Sequence, residues 1–98
     1  MKLRFTLQAR ADAERAQTWW RRNRPAAPDA FGQELNATLE RIRRNPRLGI
    51  LYEQGDLEVP VRRILMAKTT HHLYYALQAD DVVVLAVWGA QRGRRPTL

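Results

Sequence analysis

The side chains that could perform acid–base chemistry are few in this sequence, and their spacing predicts no catalytic group. The two histidines, His71 and His72, are adjacent. On a β-strand, adjacent side chains point to opposite faces, so at most one histidine can join a given site and the pair cannot hold a metal ion together. The carboxylates fall mainly in predicted helix turns and loops and form no convincing general acid–base pair. No glycine-rich loop leads into a helix to bind phosphate, so neither a metal nor a cofactor is expected.

The charge of the chain is the second chemical signal. Seventeen lysines and arginines stand against ten acidic residues, which gives a net charge of +7. Such an excess serves solubility, and it also suits an acidic partner, either nucleic acid or protein. Most of the basic residues are arginines. Because arginine pairs with carboxylate and phosphate alike, the residue type leaves both partners open.

The size of the chain allows one domain, residues 1–98, with a single modest core. There is no cysteine, so neither a disulfide nor a thiolate site is expected. No long apolar stretch follows the N-terminus, and the sequence therefore predicts neither a signal peptide nor a membrane span. A cytoplasmic protein without membrane association is expected.

Two amphipathic helices are predicted in the first half of the chain. The first begins after Thr6, which can cap it, and ends before Pro25. The second ends at Asn45-Pro46. Each helix has one apolar stripe at helical spacing, formed by Ala9, Ala13, Ala16 and Trp20 in the first and by Phe31, Leu35, Leu39 and Ile42 in the second.

Four strands are predicted around the helices. Leu3–Thr6 precedes them, and an irregular segment over residues 47–60 separates them from Val61–Met66, Thr70–Leu77 and Val82–Trp88. The short links between the last three strands require antiparallel neighbours. A helical hairpin must cover one face of such a sheet. We therefore predict a two-layer α+β protein in the order β-α-α-β-β-β, with the hairpin on a mainly antiparallel four-stranded sheet.

Strand alternation assigns side chains to the two faces of the sheet. The helix side receives Leu73, Tyr75 and Leu77 from the middle strand and Val83, Leu85 and Val87 from the last strand. The opposite face then holds Ile64, Met66, Tyr74, Ala76, Val84, Ala86 and Trp88. That face is more apolar than a water-facing sheet face, and an exposed apolar patch marks a partner site. The alternative is that the 47–60 segment folds back over it.

Several short pieces of sequence resemble a known family in their order and intervals. They include Phe5-Thr6 before Ala9-Arg10-Ala11-Asp12, the stop Asn45-Pro46-Arg47-Leu48-Gly49, Val61-Arg62-Arg63-Ile64-Leu65, Leu73-Tyr74-Tyr75, and Val84-Leu85-Ala86-Val87-Trp88 before the terminal arginines. Over nearly the whole chain the sequence resembles the ParE/RelE superfamily of bacterial type II toxins, and more closely its ParE branch. Gly89 departs from the pattern of the family, because many ParE-like chains carry a histidine near that position.

The resemblance implies a toxin that is neutralised by a cognate antitoxin, a ParD-like or similar small DNA-binding protein, in a hetero-oligomer. ParE-like members bind DNA gyrase and are not hydrolases, so this reading expects no catalytic residue. The residues expected to bind the target are Trp88, Arg92, Arg94 and Arg95. In this family the C-terminal segment of the antitoxin wraps the toxin, and the residues expected to bind it are Trp19, Ile64, Met66, Tyr74, Val84, Ala86 and Trp88.

The RelE branch is the alternative, and its members cut messenger RNA on the ribosome. That reaction needs groups that activate the ribose 2′-hydroxyl, neutralise the phosphorane and protonate the leaving oxygen. The candidates for those roles are Arg62, Arg63, Lys68, His72, Tyr74 and Arg92. A third alternative is a member that no longer arrests growth and acts only as a binding partner.

Overall fold

The computed structural model describes residues 1–53 and 58–98, and seven elements form this part of the chain. In chain order they are β1 (Leu3–Phe5), α1 (Leu7–Asn23), α2 (Ala30–Arg44), β2 (Ile50–Leu51), β3 (Val61–Met66), β4 (His71–Gln78) and β5 (Asp81–Gly89). The strands form one sheet in the order β1-β5-β4-β3-β2. β1 runs parallel to β5, and the other neighbours are antiparallel.

The predicted two-layer α+β architecture is confirmed, since both helices pack on one face of a mostly antiparallel sheet. The described residues contain five strands rather than four, because β2 pairs with β3 at the sheet edge. This short strand lies in the segment predicted to be irregular, of which residues 54–57 fall outside the described part of the chain. No helix among the described residues is long and apolar enough to cross a membrane.

Helix α1 begins where its sequence predicts. The Thr6 hydroxyl oxygen accepts a hydrogen bond from the Ala9 backbone N–H at 3.0 Å, which caps the first turn. Ala9 is fully buried, and Ala13 and Ala16 pack against the same core. Because these side chains are small, the helix lies close enough to the sheet for its own polar groups to bond with β5.

The start of α1 completes the hydrogen bonding of β5 beyond the point where β1 ends. The Thr6 backbone N–H donates to the Val84 carbonyl at 3.0 Å. The Thr6 hydroxyl donates to the Leu85 carbonyl at 3.4 Å. Buried Asp12 then accepts the Val87 N–H on its Oδ2 at 3.1 Å. The edge of β5 is thus paired by a helix at these positions, which fixes α1 against the central part of the sheet.

Helix α2 covers the rest of the same sheet face and holds the β3–β4 turn. Phe31 and Ile42 of α2 are buried in the core. The Glu34 carboxylate accepts hydrogen bonds from the backbone N–H groups of Lys68 and Thr69, at 2.8 and 2.9 Å. It also accepts the Thr69 hydroxyl at 2.6 Å. The position of Lys68 therefore depends on α2 as well as on the sheet.

A bulge in β5 determines which side chains face the helices. Tyr74 of β4 pairs with Ala86, whereas its neighbour Tyr75 pairs with Val84. Leu85 is therefore an extra residue in β5, and the alternation of side chains reverses at this point. A bulge of this kind is not visible in a run of apolar residues, because every position in the run is suited to either face.

The bulge overturns half of the face assignments for β5. Val84, predicted to lie on the face opposite the helices, is fully buried in the helix-side core. Leu85, predicted to face the helices, packs on the opposite side. The assignment of Val83 to the helix side is also wrong, because its side chain alternates with that of Val84 and therefore points to the opposite face. Val87 faces the helices as predicted.

The assignment of Ile64 and Met66 to the face opposite the helices is also wrong. Ile64 pairs with Leu73, and directly opposed residues share a face, so Ile64 packs against the helix-side core. Met66 is 1% exposed in the same core. Leu73 and Tyr75 face the helices as predicted, while Leu77 remains 38% exposed near the end of β4.

The bond between Asp12 and Val87 predicts that stability depends on one carboxylate. In Asp12→Ala the buried Val87 N–H loses its acceptor, and Arg15 loses the partner that lies 2.6 Å away. We expect the free energy of unfolding to fall by about 2 kcal/mol in urea denaturation. Asp12→Asn keeps an acceptor oxygen, so its loss should be roughly half as large. Glu14→Ala, at an exposed position of the same helix, is the control; an equal loss there would contradict the edge-pairing role.

Candidate functional site

The sheet face opposite the helices, called the outer face below, is covered rather than open. Its buried residues are Val61, Tyr74 and Ala86, against which Tyr52, Leu85 and Trp88 pack. Tyr74 is only 2% exposed and Ala86 is fully buried. The apolar face expected from the sequence is therefore present, but its centre is shielded from solvent.

Aromatic rings form a row across the outer face. Trp88 of β5 and His72 of β4 are cross-strand partners. The His72 and Tyr74 ring centroids are 6.2 Å apart, and Tyr52 packs edge-on against Tyr74 at 5.0 Å. Tyr52 belongs to the segment after β2, so one side chain of the 47–60 segment does fold back over this face.

The last residues of the chain, called the tail below (residues 90–98), cover the Trp88 end of this row. The Trp88 indole N–H donates a hydrogen bond to the Arg94 carbonyl at 2.9 Å. The Arg92 guanidinium carbon lies 4.1 Å from the centroid of the Trp88 ring, and that of Arg94 lies 5.8 Å away. Pro96 is buried. The tail therefore has a defined position against the sheet, although most of its side chains are exposed.

A second group of arginines lies over the other end of the row. The guanidinium carbons of Arg63 and Arg95 are 5.4 and 5.7 Å from the centroid of the Tyr52 ring. Each such contact between a cation and a ring contributes about 0.5–2 kcal/mol, depending on solvent exposure. Both ends of the row thus hold arginines above aromatic rings, and all the residues predicted to bind the target come together here.

The residues proposed for ribonuclease chemistry are divided between separate places. Arg63, His72, Tyr74 and Arg92 belong to the outer face or its border. Arg62 points elsewhere, because its guanidinium donates to the Gly49 carbonyl at 2.7 Å and to the Arg47 carbonyl at 3.3 Å. Lys68 lies in the turn that α2 holds. No group of three or more potential metal ligands occurs among residues 1–53 and 58–98.

The two histidines have different surroundings, as their adjacency on a strand predicts. Burial lowers the pKa of His72, and the positive charge of Arg63 lowers it further. Burial also lowers the pKa of His71, whose ring packs edge-on against Phe31 at 5.1 Å. The hydrogen bond from His71 Nδ1 to the Thr69 carbonyl opposes that shift. Both imidazoles therefore lose their proton more readily than a free imidazole does.

A groove on the helix side of the sheet is the feature that sequence reasoning missed. It has a volume of about 770 Å³ and lies between α1 and the β3–β4 turn. Trp19, Lys68 and Arg92 are among the residues that line it. These residues come from three distant parts of the chain, so only the fold brings them together. Trp19 is 49% exposed here, and it does not join the outer face to which the other predicted antitoxin contacts were assigned.

The two environments predict that the pKa of each histidine depends on a different arginine. Arg63→Gln should raise the pKa of His72 and leave that of His71 unchanged, whereas Arg92→Gln should raise the pKa of His71 only. Titration of the imidazole signals by NMR measures both values. In the unaltered protein both should lie below 6.5, so the unfolded chain binds more protons and stability falls as the pH drops through that value. Equal responses of both rings to either substitution would contradict their placement on opposite faces.

Comparison with known proteins places this chain in a family. The family model described as "ParE toxin of type II toxin-antitoxin system, parDE" matches residues 3–93. A search of curated protein sequences finds no match. Among solved structures, a chain of the chromosomal ParDE system from P. aeruginosa aligns with a TM-score of 0.64 at 12% identity, covering 93% of this chain and 97% of its own.

Two further solved structures share the fold. The YoeB/ParE toxin from Agrobacterium tumefaciens aligns with a TM-score of 0.62 at 19% identity, covering 91% of this chain and 98% of its own. The isolated E. coli RelE toxin aligns with a TM-score of 0.55 at 21% identity, covering 95% of this chain and 87% of its own. At these identities the structures support the fold alone, whereas the family model spans nearly all of the sequence. The chain belongs to the ParE toxin family of type II toxin–antitoxin systems, and this membership implies an antitoxin partner.

Proposed function

We propose that this protein inhibits growth by binding DNA gyrase through the outer face and the tail, without catalysing a reaction. The observation that carries the proposal is the arrangement of the tail on Trp88. Arg92 lies 4.1 Å from the ring centroid, and the indole N–H holds the Arg94 carbonyl at 2.9 Å. Trp88 and the arginines at positions 92, 94 and 95 are the contacts that we assign to the target.

The arrangement suits a binding surface because the arginines are held in place before a partner arrives. Arginine and tryptophan are the residue types that most often dominate the binding energy of an interface. An arginine side chain that is already ordered loses less conformational entropy on binding than one free in solvent. Arg94 and Arg95 are exposed, so their guanidinium groups can meet a partner.

The same face offers little for RNA cleavage. Of the side chains considered for that reaction, Tyr74 is 2% exposed and is therefore inaccessible to a phosphodiester. Arg62 is engaged by two carbonyl groups, and Lys68 lies in the β3–β4 turn, where it lines the groove on the helix side rather than the outer face. A cleavage site needs its acid, base and cationic groups around one phosphate. This division favours binding over catalysis.

A RelE-type ribosome-dependent ribonuclease is the second candidate. His72 favours it, because its imidazole is half-buried and its pKa is lowered by burial and by the positive charge of Arg63. A neutral imidazole beside a cation could accept the proton of a ribose hydroxyl. The third candidate is a member that binds its partner without arresting growth.

The antitoxin is proposed to neutralise the toxin in a hetero-oligomer. Among the residues assigned to it, Trp19 is exposed and Trp88 is half-buried, so both can contact a partner directly. Tyr74 and Ala86 lie beneath the covering side chains and would support that surface from below. The core residues Ile64, Met66 and Val84 are excluded from direct contact by their position against the helices.

The proposal predicts inhibition of gyrase that depends on the tail arginines. The purified protein should inhibit supercoiling by gyrase and leave ribosome-bound message intact. Substitution of Arg94 and Arg95 by alanine should weaken inhibition by roughly 10- to 100-fold, as expected for two arginines at the centre of an interface. The double alanine variant at Arg41 and Arg44, two exposed residues in the last turn of α2, removes the same charge and should inhibit normally.

Other results of these assays would separate the alternatives. Site-specific cleavage of message that is lost in His72→Gln would establish the ribonuclease and overturn the gyrase proposal. Neither activity, together with normal growth when the chain is expressed without its antitoxin, would identify a member that only binds. Circular dichroism of each variant checks that it remains folded. Substitutions are preferable to removal of the tail, because Pro96 is buried and its loss would uncover Trp88.

A further inference from the structure

The groove on the helix side has an apolar floor and aromatic walls. Ala16 of α1 and Val87 of β5 lie at its base, and both are apolar. Trp19 and Trp20 line one side, with their ring centroids 6.2 Å apart. The Trp20 indole N–H donates to the Ala27 carbonyl at 2.8 Å, which fixes that ring. The groove can therefore take up an apolar side chain without first having to order its own wall.

The rim of the groove is positively charged. Arg15, Arg24, Lys68 and Arg92 line it, and the single carboxylate among the lining residues is Asp12. Asp12 is 5% exposed, and its two oxygens already accept the Val87 N–H and the Arg15 guanidinium. The nearby Glu34 carboxylate is likewise engaged by the backbone of the β3–β4 turn. Arg15 is thus paired within the groove, whereas none of the carboxylates described in the structure forms an ion pair with Arg24, Lys68 or Arg92.

We propose that this groove binds an acidic segment of the antitoxin that carries an apolar side chain between its carboxylates. The proposal rests on the antitoxin partner of the proposed function and does not depend on gyrase. The apolar side chain would lie on Ala16 and Val87, beside the half-exposed ring of Trp19. The flanking carboxylates would pair with Arg24, Lys68 and Arg92. Arginine forks bind carboxylates in a bidentate manner, which fixes the direction of the bound segment.

A peptide fits the groove better than a single-stranded nucleic acid does. Proteins that bind single strands stack bases on exposed aromatic faces. Here Arg24 lies over both tryptophans, 5.5 Å from the centroid of Trp19 and 5.8 Å from that of Trp20. A base stacked on that side of the rings would have to displace the guanidinium, whereas a carboxylate could bind the guanidinium where it lies.

Occupation of the groove would also act on the target-binding surface, because Arg92 belongs to both. It lines the groove and also lies 4.1 Å from the Trp88 centroid on the outer face. A carboxylate in the groove that pairs with Arg92 competes with its contact to Trp88. Antitoxin in the groove would therefore weaken target binding on the other side of the sheet, and neutralisation would not require the antitoxin to cover the whole outer face.

The test uses a blocked twelve-residue peptide of glutamates and aspartates with one central leucine, titrated into the free toxin by calorimetry. Two further probes are the same peptide with serine in place of leucine and a twelve-nucleotide oligouridylate. The leucine peptide should bind, and the serine peptide should bind more weakly. Replacement of Arg24 and Lys68 by glutamine should weaken binding of the leucine peptide by about tenfold. The double glutamine variant at Arg41 and Arg44 removes the same charge far from the groove and should bind normally.

Several outcomes would overturn the proposal. Equal weakening in both double variants would mean that the peptide responds only to net charge. Tighter binding of the oligouridylate, lost in the groove variant, would identify a nucleic-acid site instead. Equal affinity for the leucine and serine peptides would remove the role of the apolar floor. Gyrase inhibition by the groove variant is measured in parallel, so that failure of the groove and failure of the proposed target are seen separately.

Discussion

The pairing of a strand edge by a helix is the constraint on which the rest of this structure depends. β1 covers β5 over only three residues, and beyond it the start of α1 supplies the missing partners. Thr6 caps its own helix and satisfies two carbonyls of β5, and Asp12 accepts the buried Val87 N–H. An unpaired buried N–H costs about 1–3 kcal/mol, so these bonds hold α1 in one position. Trp19 and Trp20 lie on the same helix, and the groove wall is thereby fixed to the strand from which the tail leaves.

Features with a strong local signal could be predicted from the sequence. The sheet face to which each residue of an apolar strand points could not. The stripe from Phe31 to Ile42 and the cap at Thr6 define helices because each position contrasts with its neighbours. The apolar run of β5 has no such contrast, so alternation along it cannot reveal the extra residue at Leu85. That single residue moves Val84 into the core and Leu85 out of it. A missed bulge leaves the predicted bounds of the strand unchanged, but it reverses the predicted directions of the side chains on one side of it.

The candidate site shows the same division between local and distant information. Trp88 and the three arginines after it are close in sequence, so their association on one surface could be predicted. The return of the tail across the outer face could not, because it depends on the bond from the Trp88 indole to the Arg94 carbonyl. The cover that Tyr52 provides for Tyr74 joins segments far apart in the chain. An apolar sheet face therefore indicates that something covers it, and here part of the cover comes from the chain itself.

Arg92 lies at the border between the outer face and the groove, so its side chain is shared by the two surfaces. The outer face and the groove lie on opposite sides of β5, and this side chain reaches both at the end of the strand. One guanidinium cannot make its best contacts with both proposed partners, so binding at one surface would oppose binding at the other. Such coupling is reciprocal in free energy, so a bound target would weaken antitoxin binding by the same factor as the antitoxin weakens target binding. Neutralisation in this scheme would need no change of fold, because Arg92 already lines the groove and would only exchange its contact with Trp88 for one with a bound carboxylate.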